Sequence, residues 1–195
     1  MLIGPAILAI VFAMSVAGVA FYRRWSERKG IVDFPNERSS HANPTPRGGG
    51  LIIAGVCLVG YLAIVIITGT RLSWGYIAGS LLIVAISWLD DLRSVSSAVR
   101  LACHAVAAVM FIADAGVLGS IEIPGSASEL NFGLTAAFIT FLWIVWVINA
   151  YNFMDGIDGI AGIQAVTAST GWALIGLYLG EPAILMLGGA ILFAS

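Results

Sequence analysis

Three clusters of polar residues stand out from an apolar chain, and each has a chemistry that its residue types suit. The sharpest is Asp90-Asp91-Leu92-Arg93, directly after an apolar run. Neighbouring carboxylates repel one another, and a divalent cation relieves the repulsion. Mg²⁺ takes one or two carboxylates and completes its shell with water and substrate phosphate oxygens. The plainer reading is a solvated interfacial pair balanced by Arg93 and Arg100. In the second cluster, Asn149, Asn152, Asp155 and Asp158 recur every third residue, on one broad face if the segment is helical. Gly156 and Gly159 favour a break near the aspartates, which leaves a polar concavity between two apolar helices. Polar groups in such a place are costly unless paired or functional. The competing reading is a helix-connecting turn closed by Asx-type bonds.

The third cluster runs from Asp33-Phe34-Pro35-Asn36-Glu37-Arg38-Ser39-Ser40-His41 to Pro44-Thr45-Pro46-Arg47-Gly48-Gly49-Gly50. Its prolines and glycines forbid a continuous helix. Glycines ahead of a helix let the backbone approach a bulky anion, and the helix N-terminus offers it free N–H groups. Arg38 and Arg47 can add charge-assisted bonds to phosphate. Otherwise the segment is a basic linker, and His41 alone reads as a hydrogen-bonding loop residue. Carboxylates with Mg²⁺, next to a basic glycine-rich loop, suit phosphoryl transfer, which needs positioning and charge neutralisation above all.

The elements that must hold these clusters are membrane helices. Of the 195 residues 59% are hydrophobic and 10% charged, against about 25% charged in average soluble domains. The mean hydropathy is +0.98. So few charges cannot cover a water-facing surface, so much of the exterior must meet lipid. The net charge of −2 excludes a nucleic-acid binder, and two cysteines, Cys57 and Cys103, make no disulfide framework. The expected fold class is all-α and polytopic. Apolar runs cover Leu2–Tyr22, Leu51–Ile67, Trp74–Leu89, Leu101–Leu118, Leu134–Ile148 and Ile160–Leu179. A seventh begins near Ala183 and is still apolar at Ser195, so we read the chain as one membrane domain, the N-terminal part of a longer protein. His104 and Asp114, within the fourth run, read as structurally satisfied residues.

The basic residues set an orientation. Arg23, Arg24, Arg28, Lys29, Arg38, Arg47, Arg93 and Arg100 fall in loops about 23–50, 90–100 and 149–159, or at their edges; the alternate loops hold Arg71 alone. By the positive-inside rule the N-terminus lies outside and these three loops are cytoplasmic. The two acidic clusters then share one membrane face, where a lipid headgroup can meet a soluble substrate.

At this point the chain resembles the polyprenyl-phosphate N-acetylhexosamine-1-phosphate transferases of glycosyltransferase family 4. The resemblance rests on three motifs in order: Pro35-Asn36-Glu37-Arg38-Ser39-Ser40-His41 through Gly50, Asp90-Asp91-Leu92-Arg93, and Asn149 through Gly162. It implies transfer of a sugar 1-phosphate from a UDP-N-acetylhexosamine to a polyprenyl phosphate, with release of UMP, at the cytoplasmic face of the cell membrane. It implies Mg²⁺, or Mn²⁺ in its place, on Asp90 and Asp91, and a catalytic set of Asp90, Asp91, Asp155 and Asp158. Asn149, Asn152, Arg38, His41, Arg47, Gly48 and Gly49 then bind substrate, and a homodimer is compatible with the family. Pro44-Thr45-Pro46-Arg47-Gly48-Gly49-Gly50 resembles the branch that starts O-antigen and related surface glycans. The family's later Gly-Asp-x-Gly-Ser motif and His-rich loop have no counterpart in these residues. Two rivals differ in chemistry. An intramembrane prenyltransferase prefers Asp-x-x-x-Asp, unlike Asp155-Gly156-Ile157-Asp158. A transporter fragment or inactive membrane protein would place polar groups near mid-bilayer.

Overall fold

Each apolar run folds as a helix, because in lipid only a helix or a closed barrel satisfies every backbone polar group internally. The computed structural model describes residues 3–30, 32–33, 45–46, 48–123, 128–154 and 160–194. The described residues form seven α-helices: α1 (Ile3–Lys29), α2 (Gly49–Thr68), α3 (Trp74–Leu92), α4 (Ser97–Ala115), α5 (Ala136–Met154), α6 (Ile160–Leu179) and α7 (Pro182–Ala194). Among the described residues five segments are long and apolar enough to cross a membrane: Leu8–Lys29, Gly49–Thr68, Trp74–Leu92, Ser97–Ala115 and Gly133–Phe153. α6, with 20 residues, and α7, with 13, are apolar as well. The protein is an all-α, multi-pass membrane protein.

Several helix ends depart from the hydropathy runs. α1 continues seven residues past Tyr22 to Lys29, so Arg23, Arg24, Arg28 and Lys29 are helical. Arg23 Nε bonds Glu27 Oε1 at 3.0 Å one turn on, and Arg28 and Lys29 in the last turn complement the negative end of the helix dipole. α4 begins at Ser97 because Ser96 caps it, accepting from Val99 N. It stops at Ala115, short of the expected Leu118, where Gly116 takes φ 88°. A two-stranded antiparallel ladder, β1 (Val32–Asp33) on β2 (Thr45–Pro46), pairs Val32 with Pro46 and Asp33 with Thr45. A second, β3 (Ser120–Glu122) on β4 (Glu129–Asn131), forms where only a loop was expected.

The chain divides into two compact units, residues 1–72 with 154–195 and residues 73–153. In the first, α7 packs against α1, α2 and α6. Its core is Val11, Val56, Ile64 and Ala190, and small residues permit the close approach. A Cβ on Gly188 would stand 2.8 Å from Ser169 O, and one on Gly176 2.7 Å from Leu185 Cα. In the second unit α3 and α4 form an antiparallel hairpin with the same device, Gly75 and Gly79 facing the α4 backbone. Such small-residue contacts drive helix association in lipid, where apolar surface gains nothing from leaving its solvent. The burial pattern follows. Ile66, Phe21, Tyr178 and Phe153 are widely exposed, whereas Ser26, Ser169 and His104 are buried.

Candidate active site

In the second unit α4 is the organising element. Arg100, His104, Ala107, Phe111 and Asp114 recur at spacings of three and four along it, which sets them on one face. Polar residues occupy both ends of that stripe, and each end makes specific bonds. At one end Asp114 Oδ2 accepts from Ser73 Oγ at 2.5 Å and from Gly75 N at 3.1 Å. Ser73 Oγ also accepts from Tyr76 N, capping α3. The Asp114 carboxylate therefore neutralises the positive N-terminus of α3, and it is structurally satisfied, as expected.

At the other end stands Asp90, in the last turn of α3. Its Oδ2 takes a hydrogen-bonded ion pair from Arg100 Nη1 at 2.5 Å. Its Oδ1 accepts from Val95 N at 2.7 Å, which closes the short turn between α3 and α4. Both side chains are partly covered, Asp90 at 25% exposed and Arg100 at 32%. The Arg100 Nε–H is buried and finds no acceptor among the described residues. The carboxylate pair is thus relieved in part by Arg100. Both members lie within helix α3, where successive side chains diverge by about 100°, and Asp91 is half-buried.

One turn further along α4, buried His104 meets α5. Its Nδ1 lies 3.3 Å from Asn149 Oδ1, and Asn149 Nδ2 donates to Val145 O at 2.7 Å. Asn149 is half-buried and Asn152, three residues on, is exposed. Near the far end of α5, Thr140 Oγ1 accepts from Leu118 N at 2.9 Å. Between these two polar ties lies an apolar groove of about 220 Å³. Gly79, Ile83, Ala107, Phe111, Ile144 and Ile148 are among its lining residues.

The expected site residues thus divide. Asp90 and Asn149 are brought to neighbouring turns of one helix, since Arg100 and His104 stand about 6 Å apart along α4. Asp91 and Asn152 follow them in the chain. Gly48 and Gly49 belong to the first unit. Gly48 takes φ 89° ahead of α2, a conformation that favours glycine, and a Cβ at Gly49 would meet nothing within 4 Å. Arg38, His41, Arg47, Asp155 and Asp158 lie outside the described residues. No cluster of three or more His, Cys, Asp or Glu able to hold a metal occurs among the described residues. An Mg²⁺ site of one or two carboxylates needs none. Asp90 fits such a site, because each of its oxygens makes one bond and a carboxylate has room for about four. His104, expected to be structurally satisfied, is so through Asn149, a partner that the sequence does not name. The signal that could have found the tie is the place of His104 one turn after Arg100 on a stripe that continues to Asp114.

Comparison with known proteins places this geometry. Residues 73–195 match the family model described as "Glycosyl transferase family 4". Over 121 residues the chain is 31% identical to a Bacillus subtilis (strain 168) protein described as "Probable undecaprenyl-phosphate N-acetylglucosaminyl 1-phosphate transferase". The matched stretch is 62% of this chain and 34% of that relative. The chain thus matches about a third of the relative's length.

Proposed function

Since the chain belongs to glycosyl transferase family 4, we propose that it transfers an N-acetylhexosamine 1-phosphate from a UDP-sugar to a polyprenyl phosphate. A lipid phosphate oxygen attacks the sugar-bearing phosphorus, the phosphoanhydride bond breaks, and UMP leaves. The product is a polyprenyl-diphosphate-linked sugar that starts a lipid-linked glycan. The observation that carries this reading is the family match over the segment where α4 ties Asp90 on α3 to the same neighbourhood as Asn149 on α5. The name of the Bacillus subtilis relative supports the acceptor lipid and the N-acetylhexosamine.

In this reading Asp90 and Asp91 would hold Mg²⁺, or Mn²⁺, which would supply charge neutralisation for the phosphate groups. Asn149 positions the motif, while Asn152, Asp155 and Asp158 line the nucleotide and catalytic pocket. Arg38, His41, Arg47, Gly48 and Gly49 form the phosphate-binding loop. The site faces the cytoplasm of the cell membrane, where UDP-sugars are made. The Pro44–Gly50 stretch favours a surface glycan such as O-antigen as the downstream product.

The test is UMP release from a radiolabelled UDP-N-acetylhexosamine by membranes carrying the protein and undecaprenyl phosphate. Asp90→Asn, Asp91→Asn, Asp155→Asn and Asp158→Asn at matched protein levels should each lose about 100-fold or more, the scale of removing one preorganised charge-stabilising group. Chelation with EDTA should abolish release, and added Mg²⁺ should restore it. Unchanged turnover in all four variants refutes the assignment.

A further inference from the structure

His104 is one of the buried polar residues, and its bond joins two helices through their side chains. Thr140 and Ser169 return their hydroxyls to carbonyls one turn back on their own helices. His104, 2% exposed, instead reaches the side chain of Asn149, 45 positions away on another helix. The direction of that bond follows from its neighbour. Asn149 directs its NH₂ to Val145 O, so its carbonyl oxygen is what faces the imidazole. A carbonyl oxygen only accepts, so His104 must carry its proton on Nδ1.

Resting on the function proposed above, we propose that His104 is a positioning residue for the Asn149-to-Asp158 motif. The reason is mechanical. α5 is separated from α3 and α4 along its middle by the apolar groove. Its rotation about its own axis is set by ties near its ends, Thr140 to Leu118 and Asn149 to His104. Each residue of a helix turns about 100°, and three residues bring the chain back to the same face. The bond at Asn149 therefore fixes the direction in which Asn152 projects. His104 touches no reacting atom in this scheme; it aims the residues that do.

Three variants test the proposal: His104→Leu, His104→Gln and Asn149→Ala, with the double variant His104→Leu/Asn149→Ala. They are compared in membranes at matched levels by UMP release and after extraction by thermal unfolding. His104→Leu should lower kcat about 10- to 100-fold, the effect of misplacing groups by an ångström or less, with KM for the UDP-sugar within about threefold. His104→Gln, which retains an N–H donor, should recover most of that loss. The double variant should unfold at the temperature of the worse single variant, because residues that share one bond are non-additive. Unaltered kcat in His104→Leu overturns the proposal, as does failure of His104→Gln to restore it. Additive falls in unfolding temperature overturn it by showing that the two residues do not interact. A coupled pair in a protein that releases no UMP refutes the function itself, and leaves His104 a purely structural tie.

Discussion

The closest helix contact in the second unit allows a prediction with its magnitude worked from geometry. A Cβ at Gly75 would lie 2.7 Å from Asp114 Cβ, and closer still to the Met110 carbonyl oxygen. Ordinary van der Waals contact begins near 3.4 Å, so clearing the Met110 carbonyl oxygen in Gly75→Ala must move α3 from α4 by about 1 Å at this point. The obstacle is backbone, which cannot rotate away. The bond from Gly75 N to Asp114 is strained by the same movement. Overpacking of this kind costs up to about 3 kcal/mol, and the gain in helix propensity returns about 1 kcal/mol. The net loss is about 2 kcal/mol, a fall in Tm of about 4–8 °C for a protein of this size.

The same geometry predicts what will be spared. Asp90 lies fifteen residues along α3, about 22 Å from Gly75. The Asp90–Arg100 pair can serve as the pivot, so the splay tilts α3 by about 3° and leaves the pair made. Turnover per folded molecule should therefore stay within about twofold of the parent, a change below about 0.5 kcal/mol in barrier height. The control is the same substitution at Gly171 in α6, where a Cβ meets nothing within 4 Å. There Gly→Ala should be neutral or raise stability by about 0.5–1 kcal/mol. Thermal unfolding of extracted protein by fluorescence-detected size exclusion reads both. If Gly75→Ala unfolds at or above the temperature of the parent, the packing argument is refuted.

Two further outcomes follow from the site. Arg100→Met keeps the aliphatic stem but leaves the Asp90 carboxylate partly buried without its partner, so stability should fall by about 1–3 kcal/mol and UMP release with it; Arg100→Lys should retain much of both, and a Met variant equal to the parent in Tm and turnover would count against the role of the pair. In a background free of Cys57 and Cys103, single cysteines at the exposed positions Arg93 and Asn152 should react with an impermeant maleimide only from the cytoplasmic side, and those at Glu122 and Glu181 only from outside; labelling of 93 and 152 from opposite sides would dissolve the shared face.

The helices were legible because lipid imposes a length and a composition that few other environments demand. Their ends were not, because they depend on caps and charges rather than on hydropathy. Ser96 starts α4 early, Gly116 stops it early, and Arg23 with Glu27 carries α1 beyond its apolar stretch. The ladder of β3 and β4 was unreadable for a different reason, since three-residue strands carry too little alternation to register. Within the site, the sequence offered Arg100 as one of two cations able to balance Asp90 and Asp91, and geometry selects it. His104 was legible as a satisfied residue but its partner was not, because one buried histidine on an apolar helix has no pattern of its own. Its meaning comes from Asn149, 45 residues later.

Asp90 and Asp114 show why an intramembrane or interfacial carboxylate cannot be interpreted alone. Both sit at ends of apolar helices, both accept two hydrogen bonds, and both touch the same face of the α3–α4 hairpin. The difference lies in what satisfies them. Asp114 is met by a neutral hydroxyl and a backbone N–H at a helix N-terminus, where the partial positive charge already suits a fixed anion. That carboxylate ties α4 to the start of α3. Asp90 is met instead by a full cation, Arg100 of α4, together with the Val95 N–H of the turn. Its oxygens keep acceptor capacity, which under the proposed function a divalent cation would use. Under that proposal the acid paired with a side-chain cation serves the reaction, and the acid bound at the N-terminus of α3 serves the fold.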